Sequence, residues 1–256
     1  MDYPHLIDSV RIKKISEKDD LGTFIIDGLY KGYGPTIGNS LRRVLLSSLP
    51  GAAITQVKIK GVDHEFKALA GMSEDIVEFS MNLKGVCLKF FAEEPQVLSL
   101  KLKGEKDVTA GDIKTNTFVE VINPELKLAT LTSKTSELDM EITVEKGLGY
   151  APSEERKSER LPIGTIMLDA IFSPVIRVDF DVENTRVGEL TDYNKIKMEI
   201  ETDGSITPSE AMHKSASILK DHFEKIFNAD ALTPKDASKK IKDDVKEEKE
   251  VKEEEE

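Results

Sequence analysis

The chain has 256 residues, a formal net charge of -12, and 39% hydrophobic and 33% charged residues. An acidic surplus of this size argues against a surface built throughout for phosphate, because nucleic-acid affinity rests on Lys and Arg releasing counterions. The lone Cys87 excludes an intrachain disulfide and any multi-cysteine metal site, and reads as a small buried hydrophobe in a reducing compartment.

At the start, Met1-Asp2-Tyr3-Pro4-His5 carries no basic segment followed by an apolar core, so no signal peptide is expected. No stretch approaches the ~18 apolar residues of a membrane span, and a cytoplasmic protein is expected. A first helix is expected over 37–48, where Ile37, Leu41, Val44, Leu45 and Leu49 recur at helical spacing until Pro50-Gly51 ends the run. A second is expected near 73–83, capped by Ser73, with Ile76, Phe79 and Leu83 on one face. Strict alternation follows: Leu98, Leu100, Leu102; Leu138, Met140, Ile142, Val144; Val178, Phe180, Val182; Ile196, Met198, Ile200. Period-2 patterning makes half-buried strands of mostly antiparallel sheets, so the fold class expected is α+β, rich in strand.

The best-signed helix begins at Thr207, a natural N-cap, with Pro208 at the first helical position and Glu210 two residues further on, and runs to Phe227. Along it Met212, Ala216, Leu219, Phe223 and Ile226 are spaced 4-3-4-3. That stripe fits either a helix packed on its own domain or a short coiled-coil seam, and two heptads favour the former. Beyond it, residues 235–256 are dominated by Lys, Asp and Glu, and a solvated tail is expected there.

Motifs for catalysis fail on spacing. The run Gly28 to Gly38 precedes a helix, as a phosphate loop does, but Gly38-Asn39-Ser40 lacks the Lys before the hydroxyl residue. A dinucleotide fingerprint would need a third glycine and a βαβ unit around it. His5, His64, His213 and His222 have no metal-ligand spacing, and no G-x-S-x-G elbow occurs. No cofactor, metal or catalytic residue is expected. The first helix draws attention for another reason: Arg42 and Arg43 stand together, with Leu46 off the main apolar face, a combination suited to an interface anchor.

The block Gly32-Tyr33-Gly34-Pro35-Thr36-Ile37-Gly38-Asn39-Ser40-Leu41-Arg42-Arg43-Val44-Leu45-Leu46-Ser47-Ser48-Leu49-Pro50-Gly51 resembles the signature of bacterial RNA polymerase α subunits. Gly61-Val62-Asp63-His64-Glu65-Phe66, Glu74-Asp75-Ile76, Asn82-Leu83-Lys84-Gly85, Gly147-Leu148-Gly149-Tyr150, Asp169 to Val175 and Glu201 to Ile206 follow in the family's order. The resemblance covers about residues 5–227.

The resemblance implies a discontinuous dimerisation subdomain, 1–51 with 170–230, around an inserted β-rich subdomain, 52–169, followed by a charged tail, 231–256. It implies a homodimeric scaffold that nucleates assembly of the large β and β′ subunits, a non-catalytic part of a DNA-directed nucleotidyltransferase. By position, Arg43, Leu46, Arg42 and Asn39 would meet β, and Lys84 and Leu168 would meet β′. Leu41, Leu45, Leu49, Met212, Ala216, Leu219, Phe223 and Ile226 would meet the second copy. Family members usually continue into a small helical DNA-contacting domain; the acidic run stands in its place, so DNA is expected to be reached only through the assembled enzyme. An acidic-tailed adaptor of the same fold, outside transcription, is the alternative.

Overall fold

The computed structural model describes residues 8–154, 156, 162 and 164–229; the expected tail at 231–256 lies outside the described residues. The chain opens with a hairpin, β1 (Arg11–Lys18) and β2 (Leu21–Leu29), then helix α1 (Tyr33–Ser47) and strand β3 (Pro50–Ile59). Helix α2 (Ile76–Lys84) leads into β4 (Leu88–Phe90), β5 (Gln96–Lys103), β6 (Lys106–Thr109), β7 (Val119–Val121), β8 (Lys127–Leu131) and β9 (Glu137–Leu148). Three short strands, β10 (Tyr150–Ala151), β11 (Thr165–Met167) and β12 (Ala170–Ile171), precede a long hairpin, β13 (Val175–Val187) and β14 (Leu190–Thr202), and helix α3 (Pro208–Phe227). Among the described residues, 8–215 form one compact unit and 216–229 a second.

Two antiparallel four-stranded sheets dominate the first unit, ordered β1-β2-β14-β13 and β11-β3-β9-β5. In the first sheet Phe24 lies opposite Met198 and Ile26 opposite Ile196, so strands from the two ends of the sequence share one ladder. Their alternating apolar side chains form one buried face. Helix α1 lies on β13 and β14. The approach is close at Gly38, where an added Cβ would sit 2.6 Å from the Phe180 ring.

In the second sheet Leu98 and Leu100 on β5 face Ile142 and Met140 on β9, and Val57 and Ile59 on β3 face the same two residues from the other side. Ile76, Phe79 and Leu83 of α2 complete this core. The outer face is polar, with Lys101 paired to Asp139 and Lys103 to Glu137 across β5 and β9.

Two local expectations are corrected. Helix α1 starts at Tyr33, four residues before Ile37, because Oδ1 of Asn194 on β14 accepts the backbone N–H groups of Gly32 and Gly34 at 2.9 and 3.2 Å. Helix α2 is capped by Asp75, whose carboxylate accepts the Glu78 N–H at 2.7 Å; the Ser73 N–H instead donates to the Thr130 carbonyl. Strand β3 begins at Pro50, which pairs with Leu148, and Gly51 pairs with Gly147. The cap of α3 is as its sequence implies, with Thr207 Oγ1 accepting the Glu210 N–H at 3.2 Å.

Candidate functional site

Helix α1 buries one side and bares the other. Arg42, Arg43 and Asn39 are exposed and Leu46 is half-buried. The two arginines differ in what holds them. Nε of Arg42 donates to the Val178 carbonyl on β13 at 3.2 Å, tying that side chain to the sheet. Arg43 projects one position further round. Asn39 donates from Nδ2 to the Pro35 carbonyl at 3.0 Å, one turn back on its own helix. The helix has little freedom to rock, since Asn194 anchors its N-terminus and the sheet receives its apolar side.

Leu41 and Leu45 are carried by α1, and Leu49 lies just beyond its end. All three are buried within the single chain, Leu45 completely, Leu41 and Leu45 because the side of α1 that carries them faces the sheet.

Of the two residues expected to share a second contact surface, Lys84 ends α2 and Leu168 lies between β11 and β12. Nζ of Lys84, the last residue of that helix, donates to Oδ2 of Asp169 at 3.0 Å. The other carboxylate oxygen of Asp169 accepts the Ser153 N–H at 2.9 Å. These bonds, Ser153's first and Lys84's next, hold the Asp169 carboxyl down at about 2. The side chain of Leu168 is 3% exposed and belongs to the core of the second sheet. Its backbone faces neighbours instead, with the N–H donating to the Thr55 carbonyl at 2.9 Å and the carbonyl accepting from the Arg156 guanidinium.

Helix α3 begins in the first unit, where Ala211 and Ser215 are buried and Met212 half-buried. Its remaining turns belong to the second unit. There Ala216 is exposed, Leu219 half-buried, and Phe223 and Ile226 are 63% and 57% exposed, with Phe227 at 83%. Bare aromatic and aliphatic side chains at coiled-coil spacing form a surface that water disfavours.

Sequence reasoning missed several residues here. Asp169 opens the run to Val175, but nothing local announces that it holds Lys84. Asn194 looks like any polar strand residue, yet caps α1 across 162 positions. On β1, Ile12 and Ile15 are exposed, and no expectation had been placed on that strand. Cys87 is half-buried, and burial followed by the nearby Asp203 raises its thiol, which leaves it a poor nucleophile. Among the described residues no group of His, Cys, Asp and Glu is arranged to hold a metal, and no helix is long and apolar enough to cross a membrane.

The RNA polymerase Rpb3/RpoA insert-domain family matches residues 57–173. The chain is 50% identical over 210 residues to the DNA-directed RNA polymerase subunit alpha of Symbiobacterium thermophilum, covering 82% of this chain and 66% of that protein. It is 46% identical over 236 residues to the subunit of the same name from Oceanobacillus iheyensis, covering 90% and 75%. For that of Moorella thermoacetica the identity is 50% over 205 residues, with 80% and 65% covered. The chain thus spans about two thirds to three quarters of the length of these relatives.

Proposed function

Because the chain belongs to the family of DNA-directed RNA polymerase alpha subunits, we propose that it is the homodimeric scaffold on which the large β and β′ subunits assemble, without carrying catalysis itself. The observation that carries this reading is the two-sided character of α1. Leu41 and Leu45 are buried in the chain's own core, while Arg43 and Leu46 are presented on a helix anchored by Asn194 and by the sheet. A rigid helix bearing an exposed Arg beside an apolar residue is an economical interface anchor, because little side-chain and backbone order remains to be imposed on binding.

In this reading Arg43 and Leu46 engage β. Arg42 and Asn39, both held within the chain, shape the rim of that contact. Lys84 engages β′. The second copy is met by the exposed stripe of α3, Leu219, Phe223 and Ile226, in an isologous contact. The flanks 1–51 and 170–230 make the dimerisation subdomain and 52–169 the insert. The pairing of β2 with β14 supports the first of these, and the family match over 57–173 supports the second.

Light-scattering mass of the purified chain, followed by capture of β and then β′, tests the proposal. A mass near twice 28.5 kDa with ordered capture of both subunits is expected. A monomer that captures neither would overturn it.

A further inference from the structure

We propose that Asp169 is the positioning residue for Lys84, fixing its ammonium group so that the remaining N–H donors meet an oxygen acceptor of β′. The proposal rests on the reading that Lys84 contacts β′, and its test separates the two.

The geometry is that of a side chain held from behind. Lys84 ends α2, and its long stem has many rotamers open to it. Its ammonium donates to Oδ2 of Asp169 at 3.0 Å, while Oδ1 is itself pinned by the Ser153 N–H at 2.9 Å. The carboxylate is therefore fixed on both oxygens. Its backbone is equally constrained, because the preceding Leu168 is stitched to β3 through the Thr55 carbonyl, to Arg156 through its own carbonyl, and to the core through its side chain. Asp169 thus links three separate stretches of chain: the end of α2, the turn after β10, and the junction of β11 and β12.

The pair is neither sealed nor loose. The side chains of Lys84 and Asp169 are 32% and 34% exposed, so a partner can reach them. An ammonium group has three donors and the intramolecular bond uses one. The others are available to a carboxylate or main-chain carbonyl on the partner. A lysine ordered before binding loses less freedom on binding, which is the advantage of preorganisation. Leu168 supports the same surface from beneath, through where it holds Asp169.

The test uses the full chain with separately purified β and β′. Lys84→Ala, Asp169→Asn and the double variant are compared for capture of β, for capture of β′ by the complex of the chain with β, and for melting temperature. Asp169→Asn keeps the shape of the side chain but removes its charge. It is expected to weaken β′ capture by roughly tenfold, with β capture unchanged and the melting temperature lowered no more than by Lys84→Ala. It is expected to add little to Lys84→Ala in the double variant, because the two residues act as one unit.

Three results would overturn the proposal. If Lys84→Ala weakens β′ capture and Asp169→Asn does not, positioning by Asp169 is wrong and the contact by Lys84 stands. If Asp169→Asn lowers β capture along with β′ capture, lowers the melting temperature more than Lys84→Ala does, or keeps its full effect in the Lys84→Ala background, Asp169 is a structural residue. If Lys84→Ala leaves β′ capture intact, the contact reading fails and takes the proposal with it.

Discussion

Glu17 on β1 accepts both the backbone N–H and the hydroxyl of Ser209 on α3, at 2.9 and 2.8 Å, across 192 positions of sequence. The first turn of α3 thus has two caps, one from Thr207 beside it and one from a distant strand. The bond to Lys14, then those from Ser209, lower the Glu17 carboxyl from 4.5 to about 2.

Glu17→Gln is expected to destabilise the fold by about 1 kcal/mol at neutral pH, the usual cost of a weakened helix cap. The pH dependence has a definite sign. A carboxyl whose folded value lies below its unfolded value stabilises fully above about 4.5, and that contribution is lost as pH falls toward 2. Urea unfolding of both proteins at pH 7 and pH 3 should show the gap narrowing on acidification; a constant gap would mean that the charge of Glu17 contributes nothing.

Asn194→Ala removes the acceptor that satisfies Gly32 and Gly34, leaving two N–H groups unpaired at a helix N-terminus. A loss of about 1–2 kcal/mol is expected, with weaker β capture because α1 is less firmly held. Denaturant midpoints test the first part, and a variant as stable as the parent would show that water replaces the amide at no cost.

Arg43→Ala and Arg42→Ala should separate. Arg43→Ala is expected to leave folding and dimer mass intact while costing ~2 kcal/mol of β affinity. Arg42→Ala gives up the bond to the Val178 carbonyl and is expected to lower stability by about 1 kcal/mol. Should Arg43→Ala fail to fold, the assignment of that residue to a contact is wrong.

Phe223→Asp places a charge in the middle of the exposed stripe of α3. A shift in light-scattering mass from dimer to the 28.5 kDa monomer is expected, with the melting of each folded chain little changed. An unaltered mass would remove α3 from the dimer contact.

The sequence alone was enough for features that depend on near neighbours. Alternation places Leu138, Met140, Ile142 and Val144 on one face because side chains of a strand point to opposite faces in turn. Thr207, Pro208 and Glu210 start α3 because a helix cap is satisfied within four residues. The ordered motifs from Gly32 to Ile206 carried the family resemblance. Only the tertiary structure decided which of the apolar and charged groups are available. The apolar spacing of Leu41 and Leu45 marks a face to be covered, and the packing of α1 on β13 and β14 covers it within the single chain. The start of α1 moved because its cap comes from Asn194, and Lys84 is ordered because Asp169 lies beside it in the fold. Periodicity and capping are short-range and legible in a string of residues; burial and hydrogen bonding between remote segments exist only once the strands have paired.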